Sequence, residues 1–562
     1  MRSPRVFACF ALLCALALAA FAREPVRARR AMVVAQEPNA TDTGVAILKA
    51  GGNAIDAAVA TAFALAVTHP SAGNVGGGGF LLVRFASGET NFIDFREMAP
   101  ASASRNMYIG PDGKPTRDSI VGWRAAGVPG TVRGLALAHR KYGMLPWARL
   151  LQPAIGLAAN GVVLSYAEAR SMCGARKLLG EFPESKRIFL NGGACFEPGD
   201  TLRQPELAQV LTRIADNPED FYTGSTARIL AEEMKKHGGE ITLADLAAYK
   251  PVERRPLTGA YKGYNILTAP PPSSGGIGIL QMLSMLEGSG YEKAGAGSAA
   301  SSHFLAEVMR RYFADRSEFL GDSDFVKVPT RGLLDPPYIA SRRASIDPLR
   351  ATPSSTLRAG TPPAAESTHT THLNVVDESG NAVALTYTIN NSYGNGVTVP
   401  RLGFLLNNEM DDFAAQPGSP NMFGLIQGEA NAIAPGKRPL SAMTPTIVTR
   451  GNQLVLVLGA PGGPRIINGV LQVIANVLDF DMNVQQAVDQ PRLHHQWMPD
   501  TLLLEPGFSP DTKALLQQRG HTLGSISGVG SVEAIMVERP ASGRPWLAGA
   551  QNGRSAGKAA GY

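Results

Sequence analysis

Thr370 stands where a hydroxyl could do covalent chemistry. If the chain were cut just before it, amine and hydroxyl would sit on one residue, and nucleophile and base would arrive together. Taken alone, a threonine ahead of a strand reads as plain β structure. Its neighbours give it a setting. Residues 351–365 are rich in Pro, Ser, Thr and Ala and read as an exposed linker. Leu373 and Val375, then residues 382–388, alternate around Asp377-Glu378-Ser379-Gly380-Asn381, which predicts two strands and a turn. Farther on, residues 454–458 predict a strand that runs into Gly459-Ala460-Pro461-Gly462-Gly463, and residues 466–478 a helix. Strand, glycine pair and helix start bring free backbone N–H groups together, which suits an anion or an oxyanion; a plain strand-to-helix turn has the same pattern.

The elements that would position these groups span 562 residues, enough for two or three domains or one large α/β unit. A content of 44% hydrophobic and 18% charged residues describes an ordinary core-forming chain. Net charge is +6, or +4 without Arg2 and Arg5, and no basic run alternates with aromatics, so nucleic-acid binding is not expected. Arg2 and Arg5, an apolar run over residues 6–18 and Ala20-Phe21-Ala22 read as a cleavable export signal, residues 1–22, with Arg23 first in the mature chain. An uncleaved anchor is the lesser alternative. The run is short for a membrane span, and no later stretch is long and apolar enough for one. The expected location is periplasmic or secreted. There Cys173 and Cys195 could form a disulfide or remain two thiols.

Residues 53–67 predict a buried helix. The glycine run at 76–79 is no phosphate loop, because no Lys-Ser/Thr follows and a strand comes next; a tight backbone passage fits it better. Strands are expected over 80–85 and 92–95, the second delivering Arg96 and Glu97. Helices are expected over 131–142, 205–216, 225–237, 243–249 and 277–286, with a long amphipathic one over 302–320. The nine histidines form no metal pattern, and His494 and His495 would face opposite ways in a strand. No metal and no cofactor are expected. Strands interleaved with helices throughout predict an α/β sandwich.

Together these stretches resemble the gamma-glutamyltransferase family. The match runs in order through most of the mature chain: G-G-N-A-I-D-A-A-V-A from Gly51, H-P-S-A-G-N-V-G-G-G-G-F from His69, D-F-R-E-M-A-P from Asp94, P-P-P-S-S-G-G from Pro270, A-D-R-S-E-F-L-G-D from Ala314, T-T-H-L-N-V-V-D from Thr370, L-L-N-N-E-M-D-D-F from Leu405, K-R-P-L-S from Lys437 and P-R-L-H-H-Q-W from Pro491. The resemblance implies a four-layer αββα sandwich of the N-terminal-nucleophile hydrolase type. It implies self-cleavage between His369 and Thr370 into a large subunit, residues 23–369, and a small one, residues 370–562, which stay together as a heterodimer. Thr370 would then accept the γ-glutamyl group of glutathione and related compounds and pass it to water, amino acids or peptides. By the same resemblance Thr388 orients the new terminus, and the N–H groups of Gly462 and Gly463 form the oxyanion hole. Arg96 holds the α-carboxylate with help from Ser441, and Asn390, Glu409 and Asp412 surround the α-amino end.

The chain departs from the family pattern in four places. Ala442 replaces the second of two serines, Pro464 replaces a serine after the glycine pair, Phe423 replaces a lid tyrosine, and Gln551-Asn552-Gly553-Arg554 lacks the usual acid. Two other functions are therefore weighed: a glutaryl-type (cephalosporin) acylase of the same family, and a processed but inactive binder of γ-glutamyl peptides.

Overall fold

The computed structural model of the chain describes residues 23–362 and 372–562. The expected signal, residues 1–22, and the expected cleavage pair, His369 and Thr370, lie outside the described residues.

Alternation along the strands explains the architecture. In Gly78–Arg84, Phe80 and Leu82 point one way while Leu81 and Val83 point the other, and both sets are buried. A strand buried on both faces needs cover on both sides. One side is covered by a second sheet, the other by helices. The first sheet runs Lys558–Gly561, Met32–Ala35, Leu373–Val376, Ala382–Thr388, Gly78–Arg84, Thr90–Phe95, Val252–Arg254. The second runs Val26–Ala28, Trp546–Gln551, Glu533–Glu538, Gln453–Gly459, Thr446–Arg450, Tyr264–Thr268, Leu257–Tyr261. All pairings within these two sheets are antiparallel.

Met32, Val34, Phe80, Leu82 and Ala384 of the first sheet pack against Ile447, Val457, Ile535 and Val537 of the second. Behind the first sheet lie the helices Ala54–Thr68, Thr131–Tyr142, Trp147–Asn160 and Pro205–Asp216. Behind the second lie Ser274–Leu286, Ala299–Phe319 and Arg465–Leu478. The four-layer αββα arrangement expected from the sequence is the one observed.

Ala54–Thr68 lacks an amphipathic pattern because all fifteen of its residues are buried. Asn53 and Asp56 close a capping box at its start. The long helix, Ala299–Phe319, begins three residues earlier than expected, where the Ser298 side chain caps Ser301 N–H at 3.2 Å. It is also not amphipathic: Glu307, Arg310, Arg311, Asp315 and Arg316 are all buried. Glu307 pairs with Arg311 at 2.6 Å and Asp315 with Arg342 at 2.7 Å, which is how charges persist on a covered face. Cys173 and Cys195 form a disulfide. Among the described residues no helix is long and apolar enough to cross a membrane.

Candidate active site

Thr388 ends the strand Ala382–Thr388 and is nearly buried. Its Oγ1 accepts the Asn390 N–H at 2.7 Å, and its carbonyl accepts Asn74 Nδ2 at 2.9 Å. Asn74 Oδ1 in turn accepts Gly77 N–H at 3.0 Å and the Thr131 hydroxyl at 2.7 Å. The glycine run is thus the close passage expected: a Cβ on Gly77 would lie 1.9 Å from the Thr388 carbonyl oxygen. Asn390 turns the chain in the left-handed region, φ 69°, a conformation asparagine tolerates, and donates from Nδ2 to the Asn408 carbonyl at 3.0 Å.

A further part of the lining follows a strand of the other sheet. Gln453–Gly459 runs out into Pro461-Gly462-Gly463-Pro464, and the helix Arg465–Leu478 follows. Gly462 has φ 132° and Gly463 φ 57°, which L side chains rarely adopt. Among the described residues neither glycine N–H donates a hydrogen bond. Pro464 sits at φ −60°, the value its ring imposes, at a helix start where a backbone N–H has no intrahelical partner in any case. The proline therefore fits this turn. The Phe423 ring closes over Gly463, 3.1 Å from where a Cβ would stand. Thr388, Asn390, Gly462, Gly463 and Phe423 line one cavity of about 450 Å³.

A second cluster is fully buried and does not line that cavity. Arg96 donates to Asp412 at 2.6 Å and to Glu409, with Glu97 3.5 Å away. Its remaining contacts are the carbonyls of Pro439 at 3.4 Å and Leu440 at 3.5 Å. Three carboxyls therefore crowd one guanidinium. Burial is the main cause that pushes Glu409 and Asp412 well above the ordinary carboxyl range, with each acid repelling the others. Glu97 is pushed up to about 7, also mainly by burial. Asn408, directly before Glu409, links the two clusters by accepting Asn391 N–H at 2.9 Å as well as Asn390.

The Glu97 carboxyl makes a pH prediction. Its folded pKa lies above the unfolded value of 4.5, so the native state holds its proton more tightly. That contribution to stability is complete below pH 4.5 and is lost as pH rises to about 7. At about 1.36 kcal/mol per pKa unit the loss is roughly 3 kcal/mol. Glu97→Gln should remove this component: unfolding free energy measured in urea from pH 4.5 to 7 should fall less steeply than in the parent. Parallel slopes would contradict the assignment.

Sequence and structure comparisons show the family of the chain. The family model described as Gamma-glutamyltranspeptidase matches residues 40–562. The chain belongs to the gamma-glutamyltranspeptidase family. It is 50% identical over 516 residues to the glutathione hydrolase proenzyme of Escherichia coli K12, covering 91% of this chain and 89% of that one. A solved cephalosporin acylase from Bacillus halodurans superposes with TM-score 0.86 at 29% identity, covering 96% of this chain and 97% of that one. The Helicobacter pylori gamma-glutamyltranspeptidase structure gives TM-score 0.57 at 40% identity, covering 60% of this chain and 96% of that one.

Ser441 and Ala442, adjacent in sequence, part company in the structure. The Ser441 hydroxyl is buried with no hydrogen-bond partner among the described residues, one residue past the Leu440 carbonyl that Arg96 reaches. Ala442 packs into the apolar cluster behind the second sheet. Sequence reasoning assigned no role to His69, Ser71, Arg465 or Arg554, which also line the cavity. His69 Nδ1 meets Glu168 at 2.8 Å and its Nε2 meets Ser71 Oγ at 3.2 Å. Arg316, also unassigned, donates to Ser274 Oγ at 3.2 Å and lies close enough to Asp412 to feel its charge. Arg465 and Arg554 carried a readable signal, being cations close to the glycine pair and the C-terminus. His69 stood in a matched motif, but its partner Glu168 lies 99 residues away and sequence does not join them.

His303, Glu307 and His521 are the group among the described residues with ligand atoms close enough for a metal. Glu307 is already taken by Arg310, Arg311 and Thr352, and the two rings bond each other at 2.8 Å. His521 Nδ1 is left buried without a hydrogen-bond partner among the described residues.

Proposed function

We propose that the chain is a self-processing γ-glutamyl hydrolase and transferase, exported by residues 1–22, and that cleavage between His369 and Thr370 yields subunits of residues 23–369 and 370–562. The observation that carries this reading is that Thr388 and the Gly462–Gly463 turn line one cavity. Leu373 pairs with Leu385, and the His372 ring meets Thr386 Oγ1 at 3.0 Å, so the ladder runs toward Thr388. Thr388 lies three residues beyond Leu385, as Thr370 lies three before Leu373 in sequence. A terminus that kept this ladder would meet Thr388.

In the proposed reaction the Thr370 hydroxyl adds to the γ-carbonyl, and its own amine takes the hydroxyl proton. The Gly462 and Gly463 N–H groups receive the oxyanion; one such donor is worth about 2.7–4 kcal/mol in the transition state. The C–N bond breaks, the proton leaves with the amine, and water or another amine opens the ester. The Arg96 cluster carries both signs of charge, as an amino-acid head group does. An α-carboxylate would pair with Arg96, aided by Ser441, and an α-ammonium with Glu409, Asp412 and Asn390, each replacing part of the direct ion pair.

The likeness to a cephalosporin acylase favours a second reading, with a glutaryl donor. A glutaryl group has no ammonium and would leave the acids of the cluster uncompensated. The expected outcome is that γ-glutamyl anilide is hydrolysed about 100-fold faster than glutaryl anilide in kcat/KM, the scale of losing a buried charge-assisted pair. A preference for the glutaryl compound would reverse the assignment.

A further inference from the structure

Arg465 opens the helix Arg465–Leu478 and lines the same cavity as Thr388 and the glycine pair. Its position is electrostatically poor. It sits at the positive end of a 14-residue helix whose first turn holds no acidic residue. Among the described residues its guanidinium makes no hydrogen bond and no ion pair, although burial already pulls its pKa below the usual arginine value. Among the described residues no aspartate or glutamate lines the cavity. The other lining arginine, Arg554, is different: its Nε donates to Glu505 at 2.8 Å and its Nη1 to the Val488 carbonyl at 2.7 Å. Arg465 is thus a half-withdrawn cation facing a cavity that holds no carboxylate among the described residues.

A guanidinium in that state calls for an anion, and its planar fork suits a carboxylate held by two parallel hydrogen bonds. On the γ-glutamyl reading, the α-carboxylate of the donor belongs to the buried Arg96 cluster, which does not line this cavity. The reaction contains a second carboxylate, the C-terminal one on the amine side. The leaving peptide carries it during acylation, and an amino-acid or peptide acceptor carries it during transfer. By microscopic reversibility both use one subsite. We propose that Arg465 anchors the C-terminal carboxylate of the amine-side fragment, in a subsite within the cavity that it lines together with His69 and Ser71. A volume of about 450 Å³ accommodates a fragment the size of a dipeptide. This inference rests on the proposed γ-glutamyl activity.

The test compares hydrolysis of γ-glutamyl-cysteinyl-glycine with that of its C-terminal amide, in the parent enzyme, Arg465→Gln and Arg465→Lys. The ratio of kcat/KM for acid over amide is read within each protein, so differences in folded fraction cancel. The parent should prefer the acid by about tenfold or more, the scale of one charge-assisted pair. In Arg465→Gln the ratio should fall to within about twofold of unity, and in Arg465→Lys it should lie between, because charge survives but the fork does not. No preference in the parent, or an undiminished one in Arg465→Gln, overturns the assignment. Should Arg465→Gln fail to fold, an undiminished ratio in Arg465→Lys overturns it equally. Release of glutamate without discrimination removes only the Arg465 subsite; no release from either compound removes the γ-glutamyl reading with it.

Discussion

Thr370→Ala is expected to leave the chain in one piece and without measurable γ-glutamyl hydrolysis, a loss of about 10³-fold or more. The magnitude follows from the double use of one residue. Without the hydroxyl there is no attack on the His369 carbonyl, and so no cut. Without the cut there is no free amine to act as base beside a nucleophile. An α-amine titrates near ~7.7–8.0, so in the cleaved protein it is partly unprotonated at neutral pH and needs no histidine. His372, two residues on, could not serve in its place: burial holds its pKa down to about 3, and both ring nitrogens are engaged, at 3.0 Å with Thr386 and 2.6 Å with Asn374. Thr370→Ser keeps a hydroxyl and should be cut, though more slowly. Denaturing gels of the two variants over days, with release of p-nitroaniline from γ-glutamyl-p-nitroanilide, check both statements. A Thr370→Ala protein that still divides at that bond contradicts the mechanism.

Arg96→Ala carries the second large effect, and it falls on stability as well as binding. The guanidinium is wholly buried and is the cation that Glu97, Glu409 and Asp412 share. Removing it leaves those carboxyls without their partner in a site cut off from water. Breaking one side of a buried pair costs about 3–5 kcal/mol. Protonation of the acids relieves part of that, so the loss should be greater at pH 8 than at pH 5. The measurement is urea unfolding of parent and Arg96→Ala at both pH values. A variant as stable as the parent at pH 8 would mean that the three acids do not depend on Arg96. Arg96→Lys should retain part of the stability and little of the substrate affinity, since an ammonium restores charge but cannot bridge Glu409 and Asp412 in one plane.

Much of the scaffold was legible in the sequence for a physical reason. Thr131–Tyr142 and Pro205–Asp216 declare themselves through helical periodicity and clear ends, and the strand Ala382–Thr388 follows an obvious turn. The helix Ala299–Phe319 differs in kind from its sequence pattern: its charges look solvent-facing in sequence, yet they are buried and engaged by residues of later segments, Asp315 by Arg342 and Arg310 by Ser354. The C-terminal strands Glu533–Glu538, Trp546–Gln551 and Lys558–Gly561 were not anticipated, because they are short and take their meaning from distant partners such as Met32–Ala35.

The site divides in the same way. Thr388, Asn390 and the glycine pair were placed from local pattern plus family resemblance, and they do share one cavity. That Arg96 pairs directly with Glu409 and Asp412, 313 and 316 residues on, required the fold. So did the contrast between Ser441, with its unpartnered hydroxyl, and Ala442, packed among apolar side chains.

The most direct test of the central claim is N-terminal sequencing of the smaller chain of the purified, catalytically active protein. The account predicts two chains and a small one that begins Thr-Thr-His-Leu, from Thr370. An active enzyme that runs as a single uncut chain, or whose smaller chain begins at any other residue, would contradict it.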